Sequence, residues 1–413
     1  MTRVIRIKAF FAAAILAAGT AAAEQKIVVA GRDGSYAQAL AMMAEAYQAA
    51  NPATEIERLE LPYGGLYEKV TISMREGAGA YDVVLLDDTW ATEFMSNGWL
   101  ADLDALGGGV DHDFVGPTRA VSQFPVGEGA HYAVPFVGNV ELFAYRRDLL
   151  EKHGFGAPES WDQVVEIART IDEAEAGVDG VVFRGIKANP IVTGFLPILW
   201  AHGARIIDDD GGAALDSDAA LAALELYLSL APYAPEGVVT YNSSEVRDAL
   251  TQGTAAMSIE LWPSWAPMMD DPERSKVPGL IEIMAAPGQV EGPAPMLGAW
   301  LLAVPADAPN PDGGRAFIDF VTNPENQKRL ALEIGMPPTR ASVYEDADVV
   351  AKYRWYPAQL AALRNAQPRP RITQWSRVEE ILGDYLQLAL IGEMTAQAAL
   401  AEAHAEIERA LAR

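Results

Sequence analysis

The sequence has no cysteine among its 413 residues. That removes disulfides, thiolate nucleophiles and cysteine-based zinc sites in one step, and with them a lipoprotein-type anchor. Histidine is scarce. The five, His112, His131, His153, His202 and His404, include no pair at the three- or four-residue spacing of a helical metal site, so neither a metal nor another cofactor is expected. Beyond residue 23 no run of about 20 consecutive apolar residues exists that would span a bilayer. Positive charge is also short: 31 Lys and Arg stand against 57 Asp and Glu, a net charge of -26. Such a balance repels nucleic-acid phosphates and anionic lipid headgroups and favours neutral or cationic partners.

What is present reads as a folded, exported protein. Half of the residues are apolar and 21% are charged, far from the composition of disordered chains, and the length suits two or three domains. Arg3, Arg6 and Lys8 precede an apolar stretch from Ala9 to Ala18, and Ala21-Ala22-Ala23 has the small-residue pattern of a signal-peptidase site. Residues 1–23 are therefore expected to be a signal peptide cleaved before Glu24, leaving a free periplasmic protein.

From Lys26 onward short apolar strands alternate with amphipathic helices. Strands are expected at Ile27 to Ala30, Ile56 to Leu61 and Tyr81 to Leu86, with helices at Ser35 to Ala50, Leu66 to Arg75 and Thr89 to Asn97. This βαβαβα order predicts a parallel sheet with right-handed crossovers. Ligands of such sheets bind beyond the carboxyl ends of the strands. That rule singles out Gly31 to Ser35, Pro62 to Gly65 and Asp87 to Trp90. The first of these lacks the lysine and spacing of a P-loop and reads as a tight turn with a helix cap. The apolar run His131 to Tyr145 is too long for one strand and predicts two strands joined at a hinge. Ser160 and Gln163 have capping-box spacing for a helix to about Ile171. A strand is expected at Val181 to Ile186, and Pro287 to Pro295 is a candidate second crossing between lobes.

Several motifs together resemble the extracellular solute-binding protein family 1 of ABC importers, the group that includes maltose-binding protein. They are Pro135-Phe136-Val137 through Lys152, Ser160-Trp161-Asp162, Gln252-Gly253-Thr254-Ala255-Ala256-Met257, Gly298-Ala299-Trp300-Leu301-Leu302-Ala303-Val304, and Ala316 to Glu325. The likeness covers nearly all of the mature chain; Leu142-Phe143-Ala144-Tyr145-Arg146 departs from the usual hinge signature. The resemblance implies a type II periplasmic-binding-protein fold with two α/β lobes, each a mostly parallel sheet flanked by helices, joined by a hinge. On that reading residues 24–138 and 285–323 form the N-lobe, and residues 139–284 and a helical 324–413 form the C-lobe. It also implies an inner-membrane permease as partner and a monomeric receptor.

A neutral sugar offers apolar C–H faces and a ring of hydroxyls, so its site needs flat aromatics and fixed polar groups. Trp262 and Trp265 around Pro263, and Trp300 beside Gly298, would face a cleft if the lobes assemble as expected; core packing is the alternative for each. At the strand ends Asp33, Tyr63, Asp88 and Trp90 are candidates, with Asp88 either accepting ligand hydroxyls or capping the next helix. Asn139, Glu141 and Arg371 complete the set. A carbohydrate or polyol is the expected ligand. A polyamine is the alternative, since aromatic boxes with carboxylates also hold ammonium groups. A secreted glycosidase is a third reading, but no GxSxG, histidine triad or metal motif supports an enzyme.

Overall fold

The computed structural model describes residues 25–107 and 109–412. The expected signal peptide lies outside them. The chain opens with β1 (Gln25–Arg32), α1 (Ser35–Ala50), β2 (Thr54–Leu61), α2 (Tyr63–Glu76), β3 (Val83–Asp87) and α3 (Asp88–Ser96). α1 is rich in alanine, the best helix former. It buries Tyr36, Ala39, Leu40 and Met43 at helical spacing on the sheet and stops at Asn51, before Pro52. α2 starts earlier than the pattern of apolar residues indicates, with Pro62 at its N-cap, so Tyr63 and Gly64 lie in its first turn.

A short α4 (Gly116–Ala120) and the ribbon β4 (Gln123–Phe124) and β5 (Ala130–His131) lead to β6 (Val134–Val137) and β7 (Leu142–Arg146), the two strands expected within 131–145. Then come α5 (Arg147–Lys152), α6 (Trp161–Ala174), α7 (Asn189–Ala201), α8 (Asp218–Ser229), α9 (Ser243–Gln252), β8 (Met257–Leu261), α10 (Ala266–Asp270) and β9 (Ile281–Met284). Ser160 does cap α6, its side chain accepting from Gln163 N–H. The expected strand at 181–186 is reduced to two bridges, Asp179 to Ala255 and Val182 to Ser258. β10 (Trp300–Ala303) precedes α11 (Pro311–Thr322), α12 (Pro324–Ile334), α13 (Ala341–Tyr344), α14 (Ala347–Lys352), α15 (Tyr356–Arg364), α16 (Trp375–Leu390) and α17 (Ala396–Leu411).

Two sheets organise these elements into two lobes. The first has the order β2-β1-β3-β10-β6. β1 is parallel to β2 and β3, as helical crossovers require, whereas β10 arrives from the other lobe and runs antiparallel between β3 and β6. The second sheet has the order β8-β7-β9 and both of its pairs are antiparallel. The expectation of two mostly parallel sheets therefore holds for the first lobe alone. The crossover rule governs single βαβ units, and β7 and β8 are separated by 110 residues and several helices.

Residues 324–413 divide between the lobes instead of all joining the second. α12 packs on α1 and α11 of the first lobe, while α15 bridges α4 of the first lobe and β9 of the second sheet, and Leu330, Ala331, Tyr344 and Tyr356 share a core with Val29, Leu85 and Phe317. α16 packs on α7 and α17 on α8, with Trp375, Leu382 and Ile407 joining the core of Trp161, Phe195 and Tyr227.

Three segments cross between the lobes, and they hydrogen-bond to one another. Glu141 N–H donates to Met296 C=O at 2.8 Å and Gly298 N–H to Asn139 C=O at 3.0 Å, joining the first crossing to the second. Leu297 N–H donates to Gln367 C=O, and Gln367 N–H to Pro295 C=O, both at 2.8 Å, adding residues 366–371 as a third crossing. Among the described residues no helix is long and apolar enough to cross a membrane. No group of three or more histidines or carboxylates among them is placed to hold a metal ion.

Candidate functional site

Between the lobes, beyond the carboxyl ends of β1 and β3, lies a cavity of about 600 Å³. That is within the range of roughly 300 to 1,000 Å³ typical of small-molecule sites. One wall is aromatic and belongs to the first lobe. The Trp300 ring is 4.8 Å from Tyr36, 5.9 Å from Tyr63 and 5.7 Å from Trp90, while Tyr63 and Trp90 are 4.9 Å apart. All four pairs are tilted or edge-on, the arrangements that ring quadrupoles favour. The Arg32 guanidinium sits among them, 5.1 Å from the Tyr36 ring, 5.3 Å from Tyr63 and 5.0 Å from Trp300.

Trp262 and Trp265 face this wall from the second lobe. Pro263 starts a 3-10 turn over Pro263–Trp265, with Trp265 N–H bonded to Trp262 C=O at 2.8 Å, and the turn displays both indoles after β8. Gly298 sits opposite Trp262: a Cβ there would lie 2.6 Å from the ring, so only glycine leaves room for the indole. Arg184 stacks 5.6 Å from Trp262, and Arg247 lies 5.9 Å from Trp265.

The crossing segments supply the floor. Asn139 is buried; its Nδ2 donates to Tyr36 Oη at 3.0 Å and its Oδ1 has no partner among the described residues. Asp87 caps α3 by accepting from Thr89 N–H at 3.2 Å, and it also accepts from Tyr63 Oη at 3.1 Å and Arg369 at 2.8 Å. Arg369, on the third crossing, is 2.9 Å from Asp88 and 3.8 Å from Glu379 of α16. It ties the β3 terminus of one lobe to a helix of the other. Burial pushes the Asp88 carboxyl up to about 6 even with Arg369 beside it. Burial likewise raises Glu379, opposed by Arg369, and raises Tyr63 well above its usual value, with Asp87 adding to the effect.

The structure brings Asp33, Tyr63, Trp90, Asn139, Trp262, Trp265, Gly298 and Trp300 together around one cavity. Asp88, Glu141 and Arg371 do not reach its wall. Asp88 is fully buried between two guanidiniums, accepting from Arg369 at 2.9 Å and from Arg371 at 3.0 Å. Arg371, held by that contact, borders a second cavity of about 730 Å³ on the far side of the crossings, beside Arg205, Asp208 and Glu291. Glu141 is buried beneath the first crossing with neither oxygen hydrogen-bonded among the described residues. Burial first, and then the neighbouring Glu260, hold its carboxyl well above the usual range.

Arg32, Tyr36, Asp87, Arg184, Arg247, Arg369 and Glu379 also line the cavity; Arg32 and Asp87 lie in strand-end loops singled out from the sequence, Asp87 as the alternative to Asp88, and the other five were not candidates. For Glu379 a signal existed, since Val378, Ile381, Leu382 and Leu386 repeat at helical spacing. Among the tryptophans away from the cavity, Trp161, Trp355 and Trp375 are buried, and Trp99 and Trp200 are half-buried.

Comparison with known proteins agrees with this architecture. Residues 32–328 match the family model described as bacterial extracellular solute-binding protein. A probable ABC transporter-binding protein of Deinococcus radiodurans is 29% identical over 293 residues, 69% of each chain. Maltose-bound MalE3 of T. maritima superposes with a TM-score of 0.84 at 28% identity, covering 93% of this chain and 99% of its own. A ribitol complex of an Agrobacterium radiobacter ABC transporter solute-binding protein has a TM-score of 0.84 at 26% identity, with 93% and 98% coverage.

Proposed function

The chain belongs to the bacterial extracellular solute-binding protein family, and from that premise we propose that it is a periplasmic receptor that binds a carbohydrate or polyol between its lobes and delivers it to an inner-membrane ABC permease. The observation that carries the proposal is the pairing of two aromatic walls. Trp300, Tyr63 and Trp90 from one lobe face Trp262 and Trp265 from the other across about 600 Å³. Indole faces take up the C–H faces of a sugar, while Asn139 Oδ1 and the Arg369 Nε, both buried without partners among the described residues, are an acceptor and a donor for its hydroxyls. Maltose and ribitol in the two related structures are ligands of the same kind.

A polyamine is disfavoured by one specific feature. The cage of Tyr36, Tyr63 and Trp300 that would receive an ammonium group already holds Arg32. The receptor reading also means binding without turnover. Of the carboxylates that line the cavity, Asp87 is engaged with Arg369 and Glu380 with Arg377.

A thermal-shift screen over sugars, polyols and polyamines tests the proposal. A true ligand at 100 times its dissociation constant adds about 2.7 kcal/mol of stability, and Trp262→Ala or Trp300→Ala should weaken its binding by about 30- to 700-fold, the cost of losing an interface anchor. Stabilisation by polyamines alone, or wild-type affinity in both tryptophan variants, would overturn it.

A further inference from the structure

Although the whole chain is strongly acidic, the cavity wall is not: Asp33, Asp87, Glu379 and Glu380 line it beside four arginines. Arg184 is committed to Glu260 at 2.7 Å, and Arg369 to Asp87 at 2.8 Å and Asp88 at 2.9 Å. The other two are not. Arg32 has Asp33 as its nearest carboxylate, at 3.9 Å and more than half exposed to solvent. Arg247 donates to Ser244 Oγ at 3.2 Å and, among the described residues, has no carboxylate within 4.0 Å.

The helix ends around the cavity have the sign of these arginines. α1 presents Gly34 and Ser35 to it, α2 presents Tyr63 and Gly64, and α7 presents Ala188 and Asn189. None of these three N-termini is capped by a side chain. α3 and α9 also start at the cavity but are capped, by Asp87 and Asn242. An uncapped first turn leaves N–H donors unsatisfied and keeps the positive end of the helix dipole open to a ligand. At Gly64 a side chain would meet nothing within 4 Å, so this backbone is open on the cavity side. Independently, the Nε of Arg369, a side chain only 3% exposed, is a buried donor on the same cavity with no partner among the described residues.

Arg32 joins these features. Its contacts with the rings of Tyr36, in the first turn of α1, and Tyr63, the first residue of α2, place the guanidinium beside both open helix ends. The rings fix its plane and leave its N–H edge without a close carboxylate. A side chain already immobilised loses little further entropy on binding, and a guanidinium edge matches a carboxylate in two parallel hydrogen bonds. Resting on the carbohydrate reading above, we propose that the ligand is an acidic sugar or sugar acid, an aldonate or uronate, whose single carboxylate is held by Arg32 at the N-termini of α1 and α2. The hydroxylated remainder lies between Trp300 and Trp262 and donates to Asn139 Oδ1. Arg247 on the facing wall adds potential of the same sign.

The experiment is titration calorimetry with matched pairs, glucose with glucuronate and gluconate, and mannitol with mannonate, at low and at high salt, with glucose 6-phosphate as a further arm. In the wild type one acid should bind about tenfold or more tighter than its neutral parent, and salt should shrink that advantage. Arg32→Gln, at a half-exposed position and checked for an unchanged melting temperature, should bring the pair to within about threefold. The inference is overturned if neutral parents bind as tightly as their acids, or if Arg32→Gln leaves the acid's advantage intact. A phosphate ester that outbinds the carboxylates overturns the carboxylate assignment. If no sugar, polyol or sugar acid binds and another solute class does, the carbohydrate reading itself falls, and this inference with it.

Discussion

Glu141 has a carboxyl buried in the first crossing, with no hydrogen-bond partner among the described residues and Glu260 adding its repulsion. Its raised pKa means that the folded state holds this proton more tightly than the unfolded chain. Its contribution is therefore fully present below the unfolded value of about 4.3 and is lost as pH rises toward the folded value, at up to about 1.4 kcal/mol per pH unit. Glu141→Gln removes that titration. Thermal melts should show the variant gaining on the wild type as pH goes from 5 to 8, and a constant difference across that range would contradict the assignment. Single residues also show what the sequence could disclose. Trp262 and Trp300 were legible because each sits in a short contiguous motif beside a strand. Arg369 was not, because its meaning comes from Asp87, 282 positions earlier, and nothing local to Pro368-Arg369-Pro370 announces that meeting. Arg32 was read only as part of a turn, since its ring cage is assembled from α1, α2 and β10.

Among the elements, the strands and helices of the first lobe followed closely from the alternation of apolar runs and helical periods, and α1 matches its expected bounds, Ser35–Ala50. The third crossing did not. It contains two prolines, has no period, and is recognisable only from its hydrogen bonds to the second crossing. Antiparallel pairing in the second sheet was hidden for a related reason, because strand direction over long connections depends on packing and not on local pattern. The crossings themselves are tightly fitted. Gly298→Ala would drive a methyl group to 2.6 Å from the Trp262 ring while leaving the bond from Gly298 N–H to Asn139 C=O in place. Overpacking of this kind costs about 1 to 3 kcal/mol. We expect a lowered melting temperature together with at least about tenfold weaker ligand binding, because the displaced indole is part of the cavity wall. Calorimetry showing full affinity would mean that Trp262 relaxes without affecting the site.

At the scale of the whole molecule, two lobes meet at three mutually bonded crossings and at Arg369, which touches Asp87 of one lobe and Glu379 of the other. Such a joint allows rotation without separation. Solution scattering should show a smaller radius of gyration when ligand is added, and an unchanged value at saturation would indicate a cleft that is already closed. The placement of the tryptophans has an optical consequence. Trp90, Trp262, Trp265 and Trp300, four of the nine in the chain, line the cavity, while Trp161, Trp355 and Trp375 are shut away in the cores. Indole emission responds to the polarity around the ring, so a solute that expels water from the cleft will shift the light from the first group and leave the second as an internal constant. The protein is built as its own fluorescent reporter, and occupancy can be followed in real time, in dilute solution, without a dye or a label.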